Sequence, residues 1–190
     1  MDPKVSIIMG STSDLPVMEK AAKVLNDFCI PFEINALSAH RTPAEVESFA
    51  KNAQKRGIEV IIAGAGMAAH LPGVIAAMTP IPVIGVPINA SLDGMDALLA
   101  IAQMPPGIPV ATTAINGAMN AGILAAQILA VGDNALKAKI VDFKESLKKK
   151  IVDANNELAK VKYDYSMMVM WDNYAVFKHA VEKEAKKKSK

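Results

Sequence analysis

The stretch Ser38-Ala39-His40-Arg41-Thr42-Pro43-Ala44-Glu45 sets two versatile cationic side chains side by side, just ahead of a helix-start signal. Thr42 and Glu45 spell a capping box, and Pro43 suits the first helical position. Ser38 to Arg41 then form the turn from a strand into a helix. Arg41 offers a planar fork of donors that matches a phosphate or a carboxylate. His40 exchanges protons near neutral pH, which suits general acid–base work. Either residue alone reads as an ordinary loop or surface residue. Both together, beside Ser38 at a strand exit, point to an anionic ligand and a proton transfer.

Two further stretches share that placement. Met9-Gly10-Ser11-Thr12-Ser13-Asp14 supplies small residues, two serine hydroxyls and a helix start that Ser13 or Asp14 can cap. Backbone N–H groups and the helix dipole favour an anion there. No Gly-Lys-[Ser/Thr] follows, so this is not a P-loop. In AGAGMAAHLPG (63–73), Gly64-x-Gly66-x-x-Ala69 has the spacing of a dinucleotide fingerprint. It follows the third strand rather than the first. The acidic residue expected about 20 positions on is also missing, because residues 84–88 read IGVPI. The glycines still imply a close backbone approach. His70, read as lying just inside the next helix, is placed to line the site. PINASLDG (87–94) and QMPPGIPVAT (103–112) read as walls or a lid. No metal-binding cluster and no Gly-x-Ser-x-Gly elbow is visible. The residues therefore describe a phosphate ester held by Ser11, Ser13, Asp14 and Arg41, with a histidine over it.

Those loops meet only if the elements between them form one sheet. Strand-like and helix-like segments alternate: strands at 4–10, 31–37, 59–64, 82–86 and 108–115, and helices at 14–28, 43–56, 68–78, 93–103 and 118–131. Such alternation predicts a doubly wound parallel sheet in a three-layer αβα sandwich, flavodoxin-like, with ligands at the carboxyl ends of the strands. Residues 1–132 make this α/β domain. Residues 134–160 form a Lys-rich helix with a narrow apolar stripe of Leu136, Ile140, Phe143, Leu147, Ile151 and Leu158. No strand follows it, so the stripe is expected to pack on the core or on a neighbouring subunit. Residues 161–190 are an extra tail: an aromatic and methionine-rich stretch, 163–177, then a basic end, KEAKKKSK, read as solvated.

Composition narrows the classes. The chain of 190 residues is 52% hydrophobic and 5% aromatic, enough for a large aliphatic core. Residues 60–92 and 97–132 carry no Asp, Glu, Lys or Arg. Prolines break both stretches, which favours short buried strands over a membrane span. The N-terminus shows no signal peptide. Residues 134–190 hold 14 Lys against 8 acidic residues, so the net charge of +2 leaves −4 on the rest. A core of that charge is no generic nucleic-acid binder. A single cysteine, Cys29, fits a reducing, cytoplasmic compartment. It reads as a small buried hydrophobe.

Together MGSTSD, SAHRTP, AGAGMAAHLPG and QMPPGIPVAT resemble the PurE family of purine biosynthesis. GAG-x-AAHLPG resembles its class I form, the N5-carboxyaminoimidazole ribonucleotide mutases. The resemblance covers about residues 4–132. It implies transfer of a carboxylate from N5 to C4 of an aminoimidazole ribonucleotide, with no metal and no organic cofactor. It implies that His40 relays protons while the carbamate loses CO2 and C4 captures it. Ser11, Ser13, Asp14, Ser38 and Arg41 would hold phosphate and ribose, and Ala39 would also bind substrate. Ala65, Gly66, His70 and Leu71 would line the base and the trapped CO2, with His70 counted as catalytic beside His40. It also implies a homo-octamer, with C-terminal helices packed on neighbours. Two departures stand out: Asn89-Ala90 replaces the usual Gln-Ser, and AINGAMNAG (114–122) is shorter than the usual class I loop. Class II relatives carboxylate aminoimidazole ribonucleotide directly with CO2, and that chemistry is the runner-up. A non-catalytic nucleotide-binding module or a scaffold built by the C-terminal arm would leave Ser38–Arg41 beside the glycine turn without a use.

Overall fold

Buried, largely apolar runs make the middle of the sheet. Strands β1 (Val5–Met9) and β4 (Val83–Ile88) are buried at every residue, and β3 (Val60–Gly66) at all but the last. Strands covered on both faces are largely apolar, as a parallel sheet between two helix layers requires; the buried Ser6 of β1 donates its hydroxyl to Glu33 at 2.9 Å. A computed structural model describes residues 2–162. The aromatic stretch 163–177 and the basic end singled out above lie outside the described residues.

The sheet has five parallel strands in the order β2-β1-β3-β4-β5, with β2 at Phe32–Ala36 and β5 at Ala111–Thr112. Val5 lies level with Phe32 on one side and with Val60 on the other. This is the flavodoxin-like order of a doubly wound α/β sandwich. The chain steps outward from β1 to β2, then back across β1 to β3. That reversal opens a crevice at the carboxyl ends of β1 and β3.

Helices cover both faces. α2 (Pro43–Ala53), α3 (Leu71–Ala76) and α4 (Met95–Ala102) bury Val46, Phe49, Ile75 and Ile101 against Ile8, Ile61 and Val83. α1 (Leu15–Asp27) packs on α5 (Ala118–Leu129) across the other face. That crossing is close. A Cβ on Gly122 would sit 3.0 Å from the Ala21 carbonyl oxygen, so only glycine fits. α6 (Asn134–Leu158) is capped by Asp133, whose Oδ1 accepts from the backbone of Ala135 and Leu136 at 2.9 and 3.0 Å. It buries Leu136 and Ile140. By contacts the chain divides after Ile140, and the rest of α6 belongs to a second unit.

Several sequence-based expectations shift. β3 runs through Gly66, because Gly64, Ala65 and Gly66 pair with Val86, Pro87 and Ile88 of β4. The helix expected over 68–78 shrinks to Leu71–Ala76. Met67 takes a left-handed φ of 54°, and the N–H groups of Ala69 and His70 close tight turns onto Met67 and Ala68. His70 is thus the residue before the helix, not one inside it. The fifth strand contracts from 108–115 to two residues. Cys29, expected buried, is exposed at a left-handed φ of 59° in the turn after α1. Among the described residues no helix is long and apolar enough to cross a membrane.

Candidate active site

Three loops leave the carboxyl edge next to the crevice, and each brings one part of the site. After β1, Ser11 takes an extended backbone, and its hydroxyl accepts from the Ser13 N–H at 3.3 Å. This caps a single 3-10 turn, Thr12–Asp14, that leads into α1. Neither Ser13 nor Asp14 caps α1 by its side chain, contrary to the reading from sequence. The Asp14 carboxyl points back instead. Burial pushes it above the usual carboxylate value. Backbone hydrogen bonds from Ser11 and Gly10, the Ser13 hydroxyl and the Arg41 charge pull the other way.

After β2, the loop 38–42 is closed by Thr42. Its Oγ1 accepts from the Ser38 N–H at 2.9 Å and donates to the Ser38 carbonyl at 3.1 Å. With that hydroxyl committed, the expected capping box does not form, and α2 starts on Pro43 with no side-chain cap. Ser38 Oγ accepts from the Arg41 backbone at 3.2 Å and from Arg41 Nε at 3.3 Å. Arg41 Nη2 donates to the Gly10 carbonyl at 2.7 Å. One guanidinium therefore ties the β2 loop to the β1 loop. A fork held at both ends keeps little rotational freedom to lose when an anion arrives.

After β3 comes His70. Its Nδ1 lies 2.8 Å from His40 Nε2, with the two rings edge to face at 79° and centroids 5.0 Å apart. A hydrogen bond between two imidazole nitrogens needs one donor and one acceptor, so one proton sits between them. Both rings are exposed at the mouth of the site.

These loops enclose one cleft of about 530 Å³. Ser11, Ser13, Asp14, Ser38, Ala39, His40, Arg41, Ala65, Gly66, His70 and Leu71, all singled out from sequence, line it. Gly10, Met67, Ala68 and Ala90 complete the wall. Met67 and Ala68 fall within the glycine turn, and Ala90 within the segment 87–94 read as a wall. Of the two segments read as walls or a lid, 87–94 contributes only Ala90 and 103–112 contributes nothing. The polar groups gather around Arg41, whereas Ala65, Leu71, Met67, Ala68 and Ala90 give an apolar flank.

The dinucleotide reading fails on geometry. Gly64 and Gly66 are strand residues, not turn residues. A Cβ on Gly64 would meet Met18 Sδ at 2.4 Å, and one on Gly66 would meet the Ala90 methyl at 2.8 Å. The bare backbone serves helix–strand and strand–loop packing. Among the described residues no cluster of His, Cys, Asp and Glu has the geometry to hold a metal ion.

The family model described as AIR carboxylase matches residues 4–150. The N5-carboxyaminoimidazole ribonucleotide mutase of Thermotoga maritima is 54% identical over 85% of this chain and 95% of its own length. The protein of that name from Pyrococcus abyssi is 60% identical over 77% of this chain and 85% of its own. The crystal structure of Treponema denticola PurE superposes with a TM-score of 0.73 at 30% identity, covering 82% of this chain and 98% of that one. With the matched segment carrying every strand, both histidines and the whole cleft wall, this chain belongs to the AIR carboxylase (PurE) family.

Proposed function

We infer that this chain is an N5-carboxyaminoimidazole ribonucleotide mutase of purine biosynthesis, an isomerase that moves a carboxylate from N5 to C4 of the imidazole. The observation that carries the mechanism is the 2.8 Å contact between His40 and His70 on the wall of the cleft that Arg41 spans. The phosphate lies against Arg41 and the Ser11–Ser13 turn. Asp14 takes the ribose hydroxyls. Ser38 sets the guanidinium.

The reaction balances without a further reagent. The N5–carboxyl bond breaks, its electron pair stays on N5, and CO2 is released into the site. N5 gains a proton from His40. The enamine of the freed ring makes C4 nucleophilic, and C4 attacks CO2 to form the new C–C bond. C4 then gives up its proton, and His40 takes it. One proton leaves the imidazole pair and one returns. His70 shares that proton through its Nδ1 and keeps His40 oriented between the two steps. Between them CO2 is a free, uncharged molecule. The apolar flank of Ala65, Leu71 and Ala90 gives CO2 a nonpolar surface beside C4.

Residues 1–132 carry the catalysis. The enzyme works in the cytoplasm as a homo-octamer. The exposed Leu15, Met95 and Met119, in the first turns of α1, α4 and α5 at the carboxyl edge, and Leu99 one turn further along α4, supply apolar area for subunit contacts. His40→Asn tests the mechanism: Asn keeps the size but moves no proton. Turnover should fall by roughly 10²- to 10⁴-fold, with affinity for the product nucleotide within a few-fold of the parent. Turnover that survives in His40→Asn contradicts the proton-relay role.

A further inference from the structure

Strand β5 is two residues long, Ala111–Thr112, yet its contact with β4 does not end there. The Thr113 N–H still donates to the Gly85 carbonyl at 3.0 Å. The chain then leaves the strand path. Gly117 N–H closes a turn onto the Ala114 carbonyl at 2.8 Å, and Asn116 takes a left-handed φ of 56°. Asparagine is one of the few residues besides glycine that adopt this backbone readily. Asn116 nevertheless makes one more rung. Its N–H donates to the Pro87 carbonyl at 2.8 Å, and its side-chain Oδ1 accepts from the Asn89 N–H at 3.0 Å. In a parallel ladder one residue donates to a carbonyl and accepts from the N–H two positions further along the neighbouring strand. Pro87 and Asn89 stand two positions apart, so the amide oxygen takes the place of a strand carbonyl beyond the end of β5.

That rung holds a turn on the wall of the cleft. Ala90 N–H donates to the Ile88 carbonyl at 3.0 Å, which puts Asn89 at the centre of a three-residue turn. Ile88 pairs with Gly66, the last residue of β3. The turn lays Ala90 over that same residue, where a Cβ on Gly66 would meet the Ala90 methyl at 2.8 Å. The sheet sets the start of the turn, and Asn116 holds the N–H at its centre. Ala90 lines the cleft, whereas Asn116 does not.

We propose that Asn116 is a positioning residue for the carboxyl transfer: its amide oxygen fixes the Ile88–Ala90 turn, and the Ala90 methyl so placed keeps the released CO2 beside C4. This role rests on the mutase reading above, in which CO2 is free between two steps. A turn without its clamp lets the methyl move and gives CO2 a way out before C4 attacks.

The test follows the carboxyl carbon. The substrate is labelled at the N5 carboxyl carbon, and the buffer holds unlabelled CO2 and bicarbonate. CO2 that escapes leaves aminoimidazole ribonucleotide behind, or is replaced by an unlabelled molecule before C4 attacks. Asn116→Gly keeps the φ and removes the acceptor, while Ile115 still lies against Gly94. Asn116→Asp keeps an acceptor oxygen on a residue that also tolerates this φ. After subtraction of the enzyme-free rate, Asn116→Gly should lose several-fold more label per C4-carboxylated product than the parent, at unchanged nucleotide affinity. Asn116→Asp should retain label as the parent does. Equal retention in the parent and Asn116→Gly overturns the proposal, and so does equal loss in the two variants. Amide hydrogen exchange over residues 86–91 tests the clamp without turnover. It should quicken in Asn116→Gly and not in Asn116→Asp, and unchanged exchange in Asn116→Gly overturns the clamp. A parent that forms no C4-carboxylated product from the labelled substrate overturns the mutase reading itself, and the CO2-keeping role with it.

Discussion

His40 and His70 lie 30 positions apart in the chain and 2.8 Å apart in space. That pairing was not legible in the sequence, since only the strand order brings the two loops together. The residue types were. A forked cation, two serines and a histidine at strand exits describe an anion site with a proton carrier, and all of them line one cleft. Two residues test this directly. Arg41→Lys keeps the charge but loses the fork that joins Gly10, Ser38 and the anion. Loss of charge-assisted hydrogen bonds worth about 1.5–3 kcal/mol should weaken nucleotide binding by roughly 10- to 100-fold, read by calorimetry with the product. Asp14 gives the second. Its carboxyl is raised above the ordinary value of 3.8 chiefly by burial. Between that value and the raised one, the folded chain holds more protons than the unfolded chain, so stability falls as pH rises through that window. Asp14→Asn should therefore melt above the parent at neutral pH, and the two melting curves should converge below the ordinary carboxylate range. A gap that persists at low pH contradicts burial as the cause.

Among the elements, alternation of apolar runs located the five strands and the helices α1 to α5, and the apolar stripe located α6, but ends and caps moved wherever a side chain found a tertiary partner. Thr42 is the clearest case. A capping box is a local pattern, yet its hydroxyl closes the Ser38 loop instead, and so helps build the site. The β3 glycines are another. In sequence they read as a ligand-binding turn, whereas in space they let Met18 of α1 and Ala90 press against the strand. Nothing in local spacing separates these two uses of a missing Cβ. Gly64→Ala should therefore act on packing rather than on a ligand. With Met18 fully buried and in the way, overpacking should cost about 1–3 kcal/mol, measured by denaturant unfolding. Nucleotide affinity of the folded fraction should not change. A fall in affinity at unchanged stability would restore the ligand-turn reading.

For the whole molecule, the order β2-β1-β3-β4-β5 converts three separate loops into one cleft, because it places the reversal point between the strands that carry Ser11 and His70. The fold class followed from alternation, since parallel strands need crossover helices and crossovers cover both faces. Assembly is less local. An exposed apolar residue does not say which surface covers it, so the sequence left the α6 stripe open between core and neighbour. The proposed octamer predicts a single species of eight chains, about 161 kDa from the 20.1 kDa monomer, in sedimentation velocity at micromolar concentration. A monodisperse monomer there contradicts it. The proposed function turns on which carboxyl donor the cleft accepts. The direct measurement is a paired assay of the purified protein, following the C4-carboxylated product. One arm offers N5-carboxyaminoimidazole ribonucleotide without bicarbonate; the other offers aminoimidazole ribonucleotide with varied CO2. Fast turnover confined to the first arm is the predicted result. Efficient turnover in the second arm at low CO2 would contradict it and make the chain a direct carboxylase.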